Sequence, residues 1–342
     1  MLKIRLLIAT VVVIIFALIL NTSASYVTVK SHNDDQVAGN LAAVASGNAK
    51  AIGEGLDARL TMLEAVPASG PEVDPLPPLR QLAVSGNFQM SSLASAADGD
   101  TVFSNGFEGT ADFDPRERPW YRAAIEAGES IVTLPYVDVA TDALVVTLAA
   151  PVKRNGQVVG VVGGDVAIDT IVDTVGAIAP TPSSFAFLAA ANGVLIAHPD
   201  PELALEPVAR LGGALDGERL AELAATEAPL AVTLGEQAVR LFAEGIPGTD
   251  WQLVVALDEH EATAGLRDVL LSSLVTLLVV ALGAVLLLGA LLRLAFRRLL
   301  AARDAMADIA SGHADLTRRL PEEGRDEVAQ MAEAFNRFMS RM

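Results

Sequence analysis

Cysteine is absent from the 342 residues, and only four histidines are present. The chain can therefore form no disulfide and no thiolate-ligated metal centre. The histidines are scattered, and their spacing predicts no metal site: His32, His198, His260 and His313. The sequence also has no Gly-x-Ser-x-Gly elbow, no phosphate-binding loop and no dinucleotide-binding fingerprint. We expect no metal, no cofactor and no catalytic activity.

Basic residues are scarce in the middle of the chain. The net charge is −18 over the whole sequence, and by sequence count it is about −21 for residues 21–268, while the remainder is slightly positive. Such a charge argues against a nucleic-acid partner and against docking of the middle region on anionic lipid. It is typical of a solvated acidic surface.

Apolar residues are abundant, at 52% of the sequence with a mean hydropathy of +0.43. They concentrate in two runs, Ile4–Leu20, in which Arg5 is the one charged residue, and the uncharged Val269–Leu292. The second run would be about 36 Å long as a helix, enough to cross a bilayer core of about 30 Å. The run Ile4–Leu20 also predicts a membrane helix, and a cleavable signal peptide is the alternative. Basic residues flank the outer ends of both runs, which puts those ends in the cytoplasm and residues 21–268 outside: Lys3, Arg5, Arg293, Arg297 and Arg298.

The external region begins with helical periodicity and continues with strand periodicity. Apolar residues at steps of three and four predict one long amphipathic helix: Val37, Leu41, Val44, Ile52, Leu56, Leu60, Leu63 and Val66. A proline-rich segment from Pro67 to Pro78 ends it. Alternating segments follow, and the clearest is a hairpin from Leu144 to Val166 around an Asn155-Gly156 turn. After Pro180-Thr181-Pro182 a smaller, similar unit follows, so we expect an α+β ectodomain with an internal repeat.

The segment after the second membrane run predicts two short amphipathic helices. Their apolar positions cannot be buried by one chain, so they predict a homodimer that forms a four-helix bundle. The positions are Leu299, Ala302, Met306 and Ile309 in the first helix, and Val328, Met331, Phe335, Phe338 and Met342 in the second.

Rare, directional side chains concentrate between Phe113 and Ala124 in a chain with only 5% aromatics. Pro119 can open a helix that runs to about Ala127. The Arg118 guanidinium is suited to a carboxylate, and aromatic faces and carboxylates would suit an ammonium group. The site would therefore fit a zwitterion, with these candidates: Arg118, Trp120, Tyr121, Tyr136, Asp138 and Asp165.

An alternative interpretation needs no ligand. Trp120 and Tyr121 would then be core aromatics, Arg118 would pair with Asp112 or Asp114 at the surface, and Asp165 would cap a turn. His198-Pro199-Asp200-Pro201 is a weaker candidate for a second site, because a lone histidine at a strand end is more often structural.

These features in this order resemble the double Cache ectodomain of bacterial methyl-accepting chemotaxis receptors. The resemblance rests on the Asp-Pro-Arg-x-Arg-Pro-Trp-Tyr sequence at 114–121 and on Gly163-Gly164-Asp165 at the end of a hairpin. Residues 293–342 resemble a HAMP relay domain, through Gly312–Thr317, Asp326-Glu327 and Phe335-Asn336. The resemblance implies two PAS-like antiparallel-sheet subdomains on a long helix, two membrane helices and a helical HAMP domain. It also implies a homodimer, signalling to chemotaxis proteins and location in the inner membrane with a periplasmic sensor.

The implied domain boundaries follow the same order. Residues 1–5 are cytoplasmic, 6–25 form the first membrane helix and 26–265 the sensor domain, with a distal unit at about 80–180 and a proximal unit at about 183–258. Residues 269–292 form the second membrane helix, and 293–342 form HAMP.

In the amino-acid-binding branch of the family, residues matching Arg118 and Trp120 hold the ligand carboxylate, and residues matching Tyr121 and Asp165 hold its amino group. Residues matching Tyr136 and Asp138 complete the motif. Phe113 departs from it, because a tyrosine is expected there, and the lost hydroxyl contact is worth about 1 kcal/mol. An amine, a purine or another small carboxylate is therefore an alternative ligand.

The resemblance leads us to expect a transmembrane receptor for a small ligand, most consistent with an amino acid. The output module of the family, a methyl-accepting coiled coil, does not follow HAMP in this sequence. The alternatives are the sensor part of a histidine kinase or diguanylate cyclase system, and a truncated receptor that acts as an interaction subunit.

Overall fold

The computed structural model describes residues 2–66, 74–109, 113–212, 215–226, 228–310, 320 and 327–340. They belong to two compact units, one made of residues 33–264 and the other of residues 1–32 and 265–342. The long first helix, α1 (Leu2–Glu64), contributes to both units.

The unit of residues 33–264 contains two antiparallel sheets. The first part of the chain forms α2 (Leu76–Ser85), β1 (Met90–Ser95), β2 (Thr101–Phe103), a 3₁₀ turn (Pro115–Glu117), α3 (Pro119–Ala127), β3 (Ile131–Val132), β4 (Tyr136–Val137), β5 (Leu144–Arg154), β6 (Gln157–Ala167) and α4 (Ile168–Gly176). The strand order is β2-β1-β6-β5-β3, and β4 also pairs with β5. The long β5–β6 hairpin is therefore the centre of this sheet.

The second sheet is built from the later part of the same unit. Its elements are β7 (Phe185–Ala190), β8 (Leu195–Ala197), 3₁₀ turns at Pro201–Leu203 and Val208–Arg210, α5 (Gly217–Thr226), β9 (Leu230–Leu234), β10 (Gln237–Gly245), β11 (Trp251–Asp258) and α6 (Glu259–Ala262). The strand order is β8-β7-β11-β10-β9. The expected pair of antiparallel-sheet subdomains on one long helix is confirmed.

Successive side chains of a strand point to opposite sides of a sheet, and each sheet has buried residues on both of its faces. One face of each sheet packs on α1 in a shared core that includes Leu41, Leu148 and Leu188. On the other face of the first sheet, α3 covers a small cluster that includes Trp120 and Ala149. This second face of the first sheet is where the candidate site lies.

The beginning and the end of this unit are bonded to each other. The Asn33 side chain of α1 donates from Nδ2 to the Ala262 carbonyl oxygen of α6 at 3.2 Å. The mostly buried Arg240 of β10 donates from Nη1 to Asp34 Oδ1 at 2.8 Å and from Nη2 to Glu259 Oε1 at 2.9 Å. Helix α1 and the last segment of the unit are thus held together by one amide and one guanidinium.

Local sequence signals explain most of these elements. The Asn155-Gly156 turn joins β5 and β6, and both residues have positive φ, 50° and 81°, as a two-residue hairpin turn of type I′ requires. Helix α4 lacks such a signal at its start, because Asp169, a residue type that often caps helices, does not cap it. The cap residue is Ala167, whose side chain makes no capping bond, and Asp169 lies in the first turn, where a carboxylate favours the helix dipole.

The other unit consists of helices. It contains the first part of α1 together with α7 (Ala264–Ala310) and α8 (Glu327–Met339). Two stretches, Ile8–Glu64 and Ala264–Leu294, are long and apolar enough to include a membrane span, by length and composition.

The HAMP-like segment is described in part. Asn336 in α8 donates from Nδ2 to the Leu320 carbonyl at 2.8 Å and accepts from the Leu320 amide at 2.9 Å, and Leu320 also packs against Phe335. The residues Gly312–Thr317 and Asp326 on which the resemblance partly rests lie outside the described part. Most apolar positions expected to form the bundle also lie outside the described side chains: Leu299, Ala302, Met306, Ile309, Val328, Phe338 and Met342.

Candidate ligand-binding site

The start of α3 places the central residues of the candidate site. Arg118 has an extended backbone (φ −76°, ψ 148°), as a residue before proline prefers. Pro119 then opens the helix, and Gly128 with φ 67° ends it, so the expected helix over 119–127 is confirmed. Because Trp120 and Tyr121 are in its first turn, both rings are buried against the sheet, in edge contact at a centroid distance of 5.7 Å.

Trp120 lies directly over a glycine of β6. A Cβ atom on Gly163 would be 3.4 Å from Trp120 Cε3 and 3.3 Å from Ser92 Oγ of β1. The missing side chain at Gly163 therefore leaves room at the centre of the sheet, beside the indole ring. Gly164 faces the other side, where a Cβ would come within 2.6 Å of the Phe88 ring.

Arg118 lies close to β4. Its Nη2 donates to the Val137 carbonyl at 3.3 Å, and its guanidinium carbon is 5.7 Å from the centroid of the Tyr136 ring. Within the described part of the chain no carboxylate is in ion-pair distance of Arg118. Asp114 pairs instead with Arg116, at 2.8 Å, and Asp112 lies outside the described residues. The guanidinium thus retains capacity to bind an anion.

Asp138 holds a turn with one of its two carboxylate oxygens. Strand β4 ends at Val137, and Asp138 Oδ2 accepts from the amides of Ala140 (3.0 Å) and Thr141 (2.9 Å) and from Thr141 Oγ1 (2.8 Å). In the described residues no group donates to Oδ1. Asp138 therefore does not continue an extended face from Tyr136 but starts the turn that leads into β5.

Asp165 lies near the end of β6, where its cross-strand partner is Thr147 of β5. It is only 6% exposed, and its Oδ1 accepts from Thr147 Oγ1 at 2.6 Å. The Thr147 hydroxyl is also 2.6 Å from the Tyr136 hydroxyl. The pKa of the Asp165 carboxyl is raised to about 7, chiefly by burial; the Thr147 hydrogen bond and the Arg118 charge act to lower this pKa, and the Asp138 charge acts to raise it.

The two remaining candidates lie beside this group. Burial raises the pKa of Tyr121, and the charges that act on its hydroxyl are those of Arg116 and Asp114. Phe113 packs edge-on against Phe103 at a centroid distance of 5.6 Å. The structure thus brings Arg118, Tyr136, Asp138 and Asp165 together, with Trp120 over Gly163, whereas Tyr121 and Phe113 have their own neighbours. Their assigned roles remain predictions.

Two polar residues of the site were missed by sequence reasoning. Thr147 and Ser92 are both buried and lie on the face of the sheet that α3 covers. Thr147 had a usable signal, because it is the one hydroxyl in the apolar run Leu144–Val152, and a buried hydroxyl needs a hydrogen-bond partner.

The arrangement as a whole combines one cation, two carboxylates and a buried aromatic ring. It lies in an α+β unit whose chain continues at both ends into helices apolar enough for a membrane. These features are consistent with one class of protein, the small-molecule sensor that is anchored in a membrane.

Comparison with known proteins specifies the family. The family model dCache_1, described as a Cache domain, matches residues 30–266, and a HAMP domain model matches residues 290–342. The chain belongs to the dCache_1 family.

Among its relatives, the methyl-accepting chemotaxis protein McpA of Pseudomonas putida is 35% identical over 269 residues, which are 77% of this chain and 41% of McpA. PctB of Pseudomonas aeruginosa, also a methyl-accepting chemotaxis protein, is 34% identical over 68% of this chain and 36% of its own length. The chain thus spans about 40% of the length of these curated relatives.

Solved structures of chemoreceptor ligand-binding domains also resemble this chain. The ligand-binding domain of the Pseudomonas fluorescens chemoreceptor CtaA in complex with L-isoleucine is matched with a TM-score of 0.58 and 26% identity, over 69% of this chain and 97% of that domain. The ligand-binding domain of PctB in complex with L-Arg is matched with a TM-score of 0.57 and 25% identity, over 67% and 98%. These relatives are chemoreceptors, consistent with a sensor rather than an enzyme.

Proposed function

We propose that this chain is the sensory part of a transmembrane chemoreceptor and that its site under α3 binds an L-amino acid. The observation that carries the proposal is that a guanidinium without a carboxylate partner lies near two carboxylates, each of which accepts hydrogen bonds on only one oxygen within the described part of the chain. Arg118 has no carboxylate partner in the described part of the chain, and Asp138 and Asp165 each accept hydrogen bonds there on one oxygen only. The amino acids bound by CtaA and PctB support the same ligand class.

The chemistry of the two ends fits a zwitterion. The planar guanidinium of Arg118 would bind the ligand carboxylate in a bidentate manner, each charged hydrogen bond contributing about 1.5–3 kcal/mol. The ligand ammonium would lie at Asp165 and Asp138, with the Trp120 indole providing an apolar wall between the two ends. Tyr121 and Phe113 would be second contacts of the amine and carboxylate ends.

The proposed topology is two-pass in the inner membrane, with a periplasmic sensor of residues 26–265. Membrane helices at 6–25 and 269–292 and HAMP at 293–342 complete the arrangement. A homodimer would transmit occupancy through the second membrane helix and HAMP to chemotaxis signalling proteins. A ligand can do this only if it binds one conformational state more tightly than the other.

Calorimetric titration of the ectodomain tests the ligand class. The ligands are L-isoleucine, L-alanine, L-arginine and L-glutamine, with a simple amine, a purine and lactate as the alternative classes. We expect an amino acid to bind and Arg118→Ala to weaken binding at least tenfold, whereas Arg122→Ala, an exposed arginine of the same helix, leaves affinity unchanged. The assignment fails if none of the amino acids binds, or if one of the alternative classes binds in their place.

A further inference from the structure

The hydroxyl group of Thr147 connects the two ends of the candidate site. We propose that Thr147 is a positioning residue that aims the Asp165 carboxylate at the ligand, so that the site selects ligands with a primary ammonium group over their hydroxy analogues. This inference rests on the proposed function, because it concerns how the same site recognises an amino acid. It assigns a role in ligand specificity to Thr147, which is not among the arginine, aromatic and aspartate residues predicted from the sequence.

The two carboxylates of the site are held in different ways. Asp138 accepts three hydrogen bonds on Oδ2, two of them from backbone amides, as a carboxylate that stabilises a turn does. The Asp165 carboxylate accepts one hydrogen bond from the described residues, and it comes from the Thr147 hydroxyl. A carboxylate with only 6% exposure and one donor is poorly compensated for the loss of water. Asp165 is therefore not explained as a structural cap, and its Oδ2 is left for a ligand.

The position of Thr147 is polar where an apolar residue would pack equally well. Thr147 is 1% exposed and lies between Val146 and Leu148 in a strand that is otherwise apolar from Leu144 to Val152. Valine has nearly the same shape and would avoid burying a hydroxyl. The hydroxyl is thus accounted for by its bond to Asp165, which occupies Oδ1 and leaves Oδ2 without a donor among the described residues.

The hydrogen bonds have one consistent direction when Asp165 is ionised. Thr147 gives its only hydroxyl proton to Asp165 Oδ1, so the 2.6 Å contact between Thr147 and Tyr136 must be a bond that the Tyr136 hydroxyl donates. Burial raises the pKa of Tyr136 and keeps this phenol neutral. The Tyr136 ring in turn lies beside the Arg118 guanidinium. One chain of contacts therefore spans the distance between the proposed carboxylate end and the proposed amine end.

The charges around Asp165 make its ionisation sensitive to this hydroxyl. The titratable and charged groups that act on it are Asp138 from the turn after β4, Arg118 from the start of α3, and Tyr136 from β4. Binding of an ammonium group requires the ionised carboxylate, whose pKa is about 7 without ligand. Loss of the Thr147 hydrogen bond removes an effect that lowers this pKa. The pH midpoint of binding should then move upward.

The experiment compares wild type, Thr147→Val and Thr147→Ser in the full 342-residue chain in detergent, by titration calorimetry between pH 5.5 and 8.5. The probes are matched pairs of an amino acid and its 2-hydroxy acid: L-alanine with L-lactate, and L-isoleucine with 2-hydroxy-3-methylpentanoate. For Thr147→Val we expect the preference for the amino acid at pH 7 to fall about tenfold and the pH midpoint to rise by about half a unit or more. Thr147→Ser keeps the hydroxyl and should retain the wild-type preference and midpoint.

The outcomes separate this inference from the proposed function. If wild type binds none of the amino acids at any pH, the proposed function fails and this inference fails with it. If wild type binds an amino acid and Thr147→Val keeps both the preference and the pH midpoint, only the role of Thr147 is refuted. If Thr147→Val does not fold, Thr147→Ser decides: wild-type preference and midpoint support the role, and a tenfold loss of preference refutes it.

Discussion

Replacing Asp165 by asparagine should stabilise the ligand-free unit of residues 33–264, by an amount that grows with pH. The buried carboxyl has a pKa of about 7 in the folded unit, against an ordinary value of 3.8. Between pH 4 and 7 the unfolded chain has therefore released a proton that the folded chain retains, and folding stability falls as the pH rises through this window. At about 1.36 kcal/mol per pH unit, the penalty reaches about 4 kcal/mol and is constant above pH 7. Asparagine removes the titration.

The assay is urea unfolding of this unit without ligand, followed by tryptophan fluorescence between pH 4 and 8.5. The buried Trp120 and Trp251 report on its two sheets. The unfolding free energy of Asp165→Asn minus that of wild type should increase by up to about 4 kcal/mol from pH 4 to pH 7 and then stay level. Asp173→Asn, which changes an exposed carboxylate of α4, is the matched control and should show no such rise. A difference that is the same at pH 4 and pH 8 would refute the assigned environment of Asp165.

Three further predictions concern packing and charge. Gly164→Ala puts a Cβ 2.6 Å from the Phe88 ring and should lower the free energy of urea unfolding by about 1–3 kcal/mol. Gly163→Ala, whose Cβ would have no atom closer than 3.3 Å, should change ligand affinity more than stability. A larger loss of stability for Gly163→Ala than for Gly164→Ala would contradict the assignment of the two glycines to opposite faces of the sheet. Phe113→Tyr should raise amino-acid affinity about fivefold in calorimetry by adding one hydrogen bond, and an unchanged affinity would place residue 113 outside the ligand's reach. Arg240→Met should cost about 2 kcal/mol in unfolding free energy, because the charged hydrogen bonds to Asp34 and Glu259 are lost, and a change below about 0.5 kcal/mol would show that they are not net stabilising.

Elements with local signals were predictable from the sequence almost to the residue. Helix α3 has a proline in its first turn and ends before Gly128, whose φ is 67°, and both signals can be read without knowledge of the rest of the fold. The β5–β6 hairpin follows in the same way from Asn155-Gly156. The arginine and tryptophan of the candidate site were found because they lie next to these signals.

The contact between Thr147 and Asp165 was not predictable, because it depends on an irregularity in the sheet. The Asn155-Gly156 turn starts a regular pairing that, if continued, would place Thr147 opposite Gly164. The register shifts between Val152 and Lys153, so Thr147 lies opposite Asp165. A register shift of one residue changes which side chains lie opposite each other and on which face of the sheet they pair. No local pattern in this sequence predicts the shift between Val152 and Lys153.

Asp138 shows a second limit of pattern reading. Residues two apart share a face only while the strand continues, but β4 ends at Val137 and the chain turns through Asp142, which has φ 53°. The spacing of Tyr136 and Asp138 is therefore typical of a strand, although in the structure Asp138 belongs to a turn. The two side chains still lie near each other, because the turn folds back on β5.

The hydrogen bond between Asn33 and Ala262 means that the first and last residues of this unit lie side by side. A segment with adjoining ends can be inserted between two helices of another protein without opening its hydrophobic core. Evolution can therefore exchange such a module among receptors as a single cassette, while the helices that receive it keep their spacing. In the laboratory, the same property makes residues 33–264 a suitable insert for a biosensor, since fluorescent proteins fused at the two ends would start close enough for energy transfer.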